Sequence, residues 1–319
     1  MKMKISFGKL IILTSLAFTI IFLSQCSKTN NNGSSTSNYT ITDVMKNSAN
    51  ATVFYKALAA TGMDTVFKEP GPFTVFVPTD SAFLASGITA STIDATPPSD
   101  IRNLILYHTI AGTAMTREAF PSGPAAKIVM GNGDSVFITN GIPGFFVNGV
   151  PVRQTDIPAS NGLIQALTAA CLLPPRGSIY STILLDTSFS LLAAAVTRAS
   201  QGTYNIQAML STNGPYTFLA PLDSAFTNAG YSLTTINNSS PDVLGNLLMN
   251  HMLVGRTFTC DLLPNKPLAT SAGSFVTFQL GGYGFQVKGQ SNATPANVIN
   301  ANIMARNGIL YVVDQILTP

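Results

Sequence analysis

Each of the two histidines in the chain follows an Asp-Ser pair at the same spacing. The first set is Asp80, Ser81 and His108, and the second set, 143 positions later, is Asp223, Ser224 and His251. Acyl-transfer hydrolases build a nucleophile, its base and the acid that orients the base from these three residue types. Such a site requires the histidine within hydrogen-bond reach of the serine hydroxyl, and a separate acid beside the histidine.

The same residues also have a simpler, structural interpretation. Asp80 precedes Ser-Ala-Phe after an apolar run that ends in proline, which is a favourable position for a helix N-cap. Thr79 is the neighbouring candidate, but Leu222 replaces it in the second set, so we predict that the aspartate is the cap. His108 lies in an apolar helical stretch, where we expect a buried and hydrogen-bonded side chain. We therefore predict that the protein is not an enzyme.

Metal and cofactor chemistry lack the residues they need in this sequence. The two histidines fall in different repeats, and no cysteine pair has the spacing of zinc ligands. The stretch "LGGYGF" lies between predicted strands, whereas a phosphate-binding loop precedes a helix. We expect no metal and no cofactor. Charged residues make up 10% of the chain with a formal net charge of +3, which argues against a nucleic-acid partner.

The repeated spacing reflects a duplication that extends over most of the chain. "GPFTVFVPTDSAF" (71–83) and "GPYTFLAPLDSAF" (214–226) are identical at eight of thirteen positions. At the same offset, "IRNLILYHTIAG" matches "LGNLLMNHMLVG". Internal repetition decides the architecture of a chain, and 319 residues are enough for two domains. We predict domain 1 over residues 39–175 and domain 2 over residues 176–319.

The order of elements within each repeat predicts an α+β fold. Apolar residues at three- and four-residue spacing predict helices over residues 51–67 and 189–210. "FTVFVP" and "YTFLAP" predict a buried strand that proline ends, followed by a second helix. The later half of each repeat carries Asn-Gly and Gly-Gly turn signals between strands. Helices early and strands late favour α+β over βαβ alternation.

The N-terminal residues have the features of an export signal. Three lysines precede an apolar run over residues 11–23, which is shorter than the ~20 residues of a membrane-spanning helix. The run ends in Leu-Ser-Gln-Cys, which resembles the bacterial lipobox, and the serine after this cysteine implies sorting to the outer membrane. We predict a signal peptide over residues 1–25, a lipidated Cys26 and a flexible polar tether over residues 26–38. An ordinary signal peptide or an uncleaved anchor, with an unrelated cysteine, is the alternative.

The two remaining cysteines lie in a compartment that permits disulfides. Cys171 and Cys260 occupy non-corresponding positions in the repeats, and Cys171 lies in an apolar run. We predict a buried free thiol for Cys171, with a disulfide between the repeats as the alternative.

Three motifs, found twice in the same order, resemble the fasciclin-type FAS1 domain family. They are "FTVFVPTDSAF", the histidine-containing "NLILYHTIAG", and the ending "NGILYVVDQILTP", in which Tyr311 stands where the family commonly has histidine. Repeat one lacks the closing acid that Asp314 supplies in repeat two, and Asn250 replaces Tyr107. The resemblance covers residues 39–319. It implies two tandem FAS1-like domains, each a β-sandwich-like wedge with flanking helices.

The resemblance also implies candidate binding residues. In animal relatives, a Tyr-His pair and an Asp-Ile pair late in the domain are implicated in integrin binding. The matching positions here are Tyr107, His108, Asp156 and Ile157 in domain 1 and His251, Asn302 and Ile303 in domain 2. Tyr107 and His108 have two interpretations, a structural anchor between motifs or an exposed epitope. We expect Asp156 and Ile157 in an exposed loop, because Pro-Ala-Ser-Asn follows them.

These features predict a non-catalytic, lipid-anchored protein of a Gram-negative outer membrane that acts in adhesion or protein interaction. The lipid on Cys26 is the predicted membrane contact, and the predicted partner is a protein or a polysaccharide. The alternative is a glycan-binding lipoprotein that assists polysaccharide capture. A groove lined by exposed tyrosines and polar side chains favours the glycan, and a flat surface favours a protein. The sequence leaves both the cell surface and the periplasmic face open.

Overall fold

The computed structural model of the chain describes residues 37–282 and 284–319. The predicted signal peptide, the predicted lipid site at Cys26 and the tether as far as residue 36 lie outside the described residues. Within the described part, no helix combines the length and the apolar character that crossing a bilayer requires. The two repeats form two domains with corresponding elements.

The described elements of domain 1 begin with helices and end with strands. Its helices are α1 (Ile41–Lys46), α2 (Thr52–Thr61), α3 (Met63–Val66), α4 (Asp80–Ala85), α5 (Ala90–Ala95) and α6 (Pro98–Tyr107), with a 3-10 helix at Arg117–Ala119. Its strands are β1 (Phe73–Pro78), β2 (Thr109–Ala111), β3 (Gly123–Val129), β4 (Ser135–Gly141), β5 (Gly144–Val147), β6 (Val150–Ala159) and β7 (Gly162–Leu167).

Domain 2 follows the same plan in the described residues. Its helices are α7 (Ile179–Leu184), α8 (Ser190–Ala199), α9 (Ile206–Ser211), α10 (Asp223–Asn228), α11 (Leu233–Asn238) and α12 (Pro241–Met249), with 3-10 helices at Thr187–Phe189 and Thr259–Asp261. Its strands are β8 (Tyr216–Pro221), β9 (Met252–Val254), β10 (Pro267–Ala269), β11 (Phe275–Gly281), β12 (Gly284–Gly289), β13 (Ala296–Ala305) and β14 (Gly308–Val313).

The described strands of each domain form one seven-stranded mixed sheet. The strand order is β2-β1-β7-β6-β5-β4-β3 in domain 1 and β9-β8-β14-β13-β12-β11-β10 in domain 2. The first strand pairs in parallel with the last, β1 with β7 and β8 with β14, while the other neighbours are antiparallel. The expected α+β fold and the two tandem repeats are confirmed. The parallel pair is an addition that the turn signals did not predict.

Both faces of the sheet are buried in the central strands. Side chains alternate across a strand, so Val75 of β1 packs with Phe54 and Leu58 in a core shared with the helices, whereas Phe76 packs with Phe145 in a second core among the strands. Burial on both faces explains why "FTVFVP" is a continuous apolar run rather than an alternating one.

The Gly-Pro and Asn-Gly motifs meet in space. A Cβ at Gly71 would lie 2.0 Å from the Asn161 carbonyl oxygen, and one at Gly214 would lie 2.3 Å from the Asn307 carbonyl oxygen, so glycine is required at both positions. The Asn161 side chain accepts from Ile41 N at 2.9 Å and donates to the carbonyl oxygens of Phe67 and Glu69. Asn307 repeats this arrangement in domain 2. The Asn-Gly turn therefore joins the first helix to the closing strand.

The predicted helix over residues 51–67 is divided in two. Gly62 takes a left-handed conformation, with φ of 69°, and ends α2 after Thr61, so α3 starts as a separate helix at Met63. The predicted helix over residues 189–210 is likewise divided into α8 and α9. A periodic apolar pattern continues across such breaks because both segments face the same core.

The prediction that Asp80 caps its own helix is wrong. Thr79 is the N-cap of α4, and its side chain accepts from Ala82 N. Asp80 instead accepts from Val53 N at 2.9 Å and from the Thr52 hydroxyl at 2.6 Å, so it caps the start of α2, where residue 51 is an alanine. In domain 2, Asp223 accepts from Leu191 N at 2.8 Å and from the Ser190 hydroxyl. Each aspartate thus ties two helices together.

The two domains share a hydrophobic contact centred on Phe137. This β4 side chain of domain 1 is 9% exposed and belongs to a core that is otherwise built mostly from domain 2. Its ring lies 6.1 Å from the Phe258 ring, and the Arg256 guanidinium lies 4.4 Å from its centroid. The Thr139 hydroxyl donates to Asp261 across the same boundary at 2.9 Å. The pair of domains therefore buries surface that either domain alone would expose.

We expect Asp80→Ala to lower the free energy of unfolding by about 1–2 kcal/mol, because the Thr52 hydroxyl and the Val53 amide at the start of α2 lose their acceptor. Urea denaturation of the full chain measures the change. Asp94→Ala is the matched control, since the ion-pair partner of Asp94 among the described residues is Lys56 at the surface, and its loss should cost under about 1 kcal/mol. Equal losses in the two variants would contradict the capping role.

We expect Phe137→Ala to loosen the domain pair at a cost of about 3 kcal/mol or more, because the substitution empties a packed site in the shared core. Small-angle scattering should show a larger radius of gyration, and limited proteolysis should cleave faster between β7 and α7. Phe275→Ala is the control, since Phe275 is 48% exposed. An unchanged radius and cleavage rate in Phe137→Ala would show that this ring does not hold the domains together.

Candidate functional site

His108 lies at the C-terminal end of α6 and is completely buried. Its Nδ1 donates to the Leu104 carbonyl oxygen at 2.8 Å, and its Nε2 accepts from Leu172 N at 3.1 Å. Its own carbonyl oxygen accepts from Phe76 N of β1 at 2.8 Å. The residue therefore connects the helix, the first strand and the segment that follows β7.

His251 has the same position and the same partners in domain 2. Its Nδ1 donates to the Leu247 carbonyl oxygen at 2.8 Å, and its Nε2 accepts from Leu317 N at 2.9 Å. Its carbonyl oxygen accepts from Leu219 N at 2.8 Å. Burial lowers the pKa of both His108 and His251 to about 4. The hydrogen bonds agree with this, because an Nε2 that accepts from an amide cannot carry a proton.

The Ser-His-Asp site considered from the sequence is not assembled. Both nitrogens of His108 are bound by backbone groups, and the ring has no exposed surface. Ser81 is exposed and hydrogen-bonds Thr79, while Asp80 caps α2. In domain 2, Asp223 likewise caps the start of α8, and Ser224 is exposed whereas His251 is buried. The histidines thus serve as structural anchors between motifs, one of the two interpretations that the sequence left open.

Tyr107 is also buried, with no exposed surface. Its hydroxyl donates to the Ser135 carbonyl oxygen at 3.2 Å and accepts from the Asn148 side chain at 3.0 Å. Burial raises its pKa well above the usual range. Asn250 takes its place in domain 2 and accepts from the Ser274 hydroxyl at 2.7 Å. In this arrangement the Tyr-His pair offers no side-chain surface to a partner.

Asp156 and Ile157 lie within strand β6, so the expectation of an exposed loop is wrong. The register of β6 against β7 shifts between Gln154 and Ile157, and Asp156 has φ of 59°. The Asp156 carboxylate accepts from Arg117 N and from the Gln165 side chain, both at 2.9 Å. Ile157 packs against the core beneath the helices. The turn signals after Ile157 mark the β6–β7 turn at Ser160 and Asn161, whereas Asp156 lies at a bulge within the strand.

Asn302 and Ile303 form the same bulge in β13 of domain 2. Asn302 has φ of 58°, and its side-chain oxygen accepts from Thr259 N at 3.0 Å. The Tyr311 hydroxyl lies 3.2 Å from this oxygen and donates to the Thr257 carbonyl oxygen at 2.6 Å. In both domains, the bulge residue therefore holds the start of a 3-10 helix.

The sequence reasoning missed Gln165 and did not assign a role to Tyr311. These residues occupy the same place in the closing strand, and both are completely buried. The available signal was a polar side chain in an otherwise apolar strand, since buried polar groups are nearly always hydrogen-bonded. Each one supports its bulge residue, Asp156 or Asn302.

Cys171 and Cys260 are both free thiols, so the alternative of a disulfide between the repeats is not realised. Burial raises the pKa of Cys171 well above its usual range and that of Cys260 to about 12. Neither cysteine therefore carries an activated thiolate at neutral pH. Over residues 37–282 and 284–319, no three potential metal ligands of the His, Cys, Asp and Glu types come together.

A cleft with a volume of about 890 Å³ lies between the domains. The β5–β6 turn of domain 1 lines one side, the β7–α7 segment lies along it, and β13 of domain 2 lines the other side. Of the predicted binding residues, Asn302 and Ile303 line this cleft, whereas Asp156 and Ile157 do not. Phe189, the single aromatic residue among the described lining, is buried.

Tyr107 is connected to the cleft through Asn148. This asparagine lines the cleft, donates to the Tyr107 hydroxyl and accepts from Phe137 N at 2.8 Å. The next residue, Gly149, faces Asn302 so closely that a Cβ would lie 2.4 Å from its side-chain nitrogen. The buried polar groups of both domains therefore converge beneath the cleft.

The buried histidines predict a loss of stability in mild acid. The unfolded chain binds protons near pH 6.5 and the folded chain only near pH 4, so the free energy of unfolding falls as pH drops from about 6.5 to 4. We expect a loss of a few kcal/mol per histidine over this window. His251→Gln should be less stable at pH 7 and show a smaller fall, as measured by urea denaturation from pH 7 to pH 5.

Ile105→Val is the control for this pH dependence, because it weakens the core without removing a titrating group. Its stability should be lower by about 1 kcal/mol, with the fall between pH 7 and pH 5 unchanged. A fall of the same size in His251→Gln and in the wild type would show that His251 does not set the acid sensitivity.

A model of the Fasciclin domain family matches the chain twice, over residues 49–172 and 187–319. The Sus scrofa transforming growth factor-beta-induced protein ig-h3 is 26% identical over 255 residues, covering 78% of this chain and 35% of that protein. The uncharacterized protein sll1735 of Synechocystis sp. is 33% identical over 141 residues, covering 44% of this chain and 96% of that protein. This chain thus spans about a third of the length of the ig-h3 relatives.

Among solved structures, a FAS1 domain pair from the insect cell adhesion molecule Fasciclin I aligns with 83% of this chain and 96% of its own. The sequence identity is 16% and the TM-score is 0.40. The two matches to the family model cover most of the chain and fall one on each repeat. The chain therefore belongs to the fasciclin domain family and carries two fasciclin domains in tandem.

Proposed function

We propose that this chain is a lipid-anchored protein of a Gram-negative outer membrane that uses its two fasciclin domains for adhesion through protein contacts. The proposal rests on the contact between the two domains. Phe137 of domain 1 completes a core of domain 2, and the cleft is lined by both domains. A surface composed of two domains presents contact groups in a defined arrangement, which suits recognition of a partner.

The proposed anchor is the lipid on Cys26, and it rests on the sequence alone. Three lysines, a short apolar run and Leu-Ser-Gln-Cys precede a polar stretch that suits a tether. The tether would hold the domain pair away from the bilayer and leave its surfaces accessible. The non-catalytic role is supported by the fasciclin family and by the buried, backbone-bound state of both histidines.

The cleft also favours a second candidate, a glycan ligand. A concave surface suits a polysaccharide better than a flat surface does. Sugar-binding platforms usually stack the sugar on exposed aromatic rings, however, and the one aromatic residue in the described lining, Phe189, is buried. Protein contact is therefore the first proposal.

Cell fractionation tests whether Cys26 anchors the protein in the outer membrane. We expect wild-type protein in the outer-membrane fraction, and Cys26→Ala released from it or mislocalised. Cys260→Ala is the matched control, since it also removes one thiol but leaves the predicted lipid site. Cys26→Ala protein that stays membrane-bound like the wild type would contradict lipidation at Cys26.

Protease accessibility and attachment then test the function. We expect added protease to digest the domain pair on intact cells, and cells that display it to attach to one another or to a protein-coated surface. Cells that express Cys26→Ala are the control. Protection from protease until the outer membrane is opened would exclude cell-to-cell adhesion and point to a partner inside the envelope.

A further inference from the structure

A small basic pocket lies next to the cleft, also between the two domains. Its volume is about 270 Å³, and Met304 lines both this pocket and the cleft. The charged residues that line it are Lys127 and Asp134 of domain 1 and Arg256 and Arg306 of domain 2. Three cationic side chains thus face one carboxylate.

Arg256 is the group that domain 1 holds in place. Its guanidinium stacks on the Phe137 ring at 4.4 Å, and its Nη2 donates to the Arg306 carbonyl oxygen at 2.6 Å. Its Nε is buried and has no hydrogen-bond acceptor among the described residues. The Arg256 guanidinium is thus half-buried and held in place, and it forms no ion pair with a carboxylate among the described residues. A guanidinium in this state can bind a carboxylate from a partner.

Lys127 extends the basic surface along the sheet. It lies directly opposite Phe137 in the β3–β4 pair, so the two side chains share one face of the sheet. The carboxylate of Asp134 does not balance the three cations. It lies 3.7 Å from Arg306 and also accepts from Asn132 at 3.2 Å. Residues 1–36 and residue 283 include no Asp or Glu, so they supply no further acid.

We propose that this pocket binds a carboxylate supplied by an acidic segment of a protein partner, an inference that rests on the proposed function in protein contact. The planar guanidinium of Arg256 matches the geometry of a carboxylate, and Lys127 and Arg306 add charge at the rim. A protein carboxylate is favoured over an acidic sugar because Arg256 covers the Phe137 ring, which leaves no stacking face. The adjoining cleft accommodates the rest of the segment.

The test uses the full chain in detergent and a fluorescein-labelled hexaglutamate peptide, with hexaglutamine as the control peptide. We expect fluorescence anisotropy to show binding of hexaglutamate that weakens as salt is added. Arg256→Gln should weaken binding by about tenfold or more, and Lys127→Gln by several-fold. Lys46→Gln, which removes an exposed lysine from α1, should leave Kd within about twofold.

Lys127→Gln is the decisive variant, because the Lys127 side chain is exposed and can change without disturbing the domain contact. Arg256→Gln is less specific, because it also removes the stacking on Phe137. Circular dichroism checks that each variant is folded. Equal weakening by Lys46→Gln and Lys127→Gln would mean attraction to net charge alone and would overturn the site. Binding of tetragalacturonate but not hexaglutamate, lost in Lys127→Gln, would overturn the protein partner in favour of an acidic glycan.

The site and the proposed function fail in different ways. Cells that attach equally well with wild-type protein and Lys127→Gln, together with no binding of hexaglutamate, would remove the site and leave the adhesion role. Binding of hexaglutamate that depends on Lys127, together with cells that do not attach, would keep the site and remove the adhesion role.

Discussion

A buried, neutral imidazole in each domain connects the three parts on which the fold depends. His108 bonds the end of α6 through Nδ1, the first strand through its carbonyl oxygen and the segment after β7 through Nε2. The same three connections recur at His251. Because Nε2 accepts from a backbone amide, only the neutral ring fits, and the site must exclude water. Each histidine therefore has a structural role, because its two ring nitrogens are occupied by backbone hydrogen bonds.

The motif residues that look most like a binding site share this structural character. Asp156 and Asn302 hold bulges in their strands and accept backbone amides from the 3-10 helices. Tyr107 bonds two polar groups beneath the cleft. Of these side chains, only Asn302 lines the cleft, and the others are bonded within the fold. The surface that we propose for a partner lies between the domains, where Phe137 packs in the core of domain 2 and charged groups of both repeats line one pocket.

Much of the fold followed from local patterns, and the errors had a common cause. The apolar helix before each histidine predicted burial, and the Asn-Gly signals predicted turns, because both depend on neighbouring residues alone. Asp80 was assigned to its own helix because the sequence shows only adjacent donors, whereas its partners at residues 52 and 53 approach through the fold. Asp156 was assigned to a loop because turn residues follow it, but those residues mark the β6–β7 turn, and the bulge at Asp156 depends on how β6 pairs with β7.

The sequence by itself determined that the chain is duplicated, that each repeat is an α+β unit and that the repeats match the fasciclin motifs. These properties are encoded in order, spacing and periodicity, which survive without coordinates. Only the tertiary structure decided that β1 pairs in parallel with β7, that Gln165 supports Asp156 and that Arg256 stacks on Phe137. The first and last of these contacts join residues far apart in the chain, and the second joins two paired strands. They depend on how the strands pair and how the two domains pack, and a local sequence pattern does not specify either.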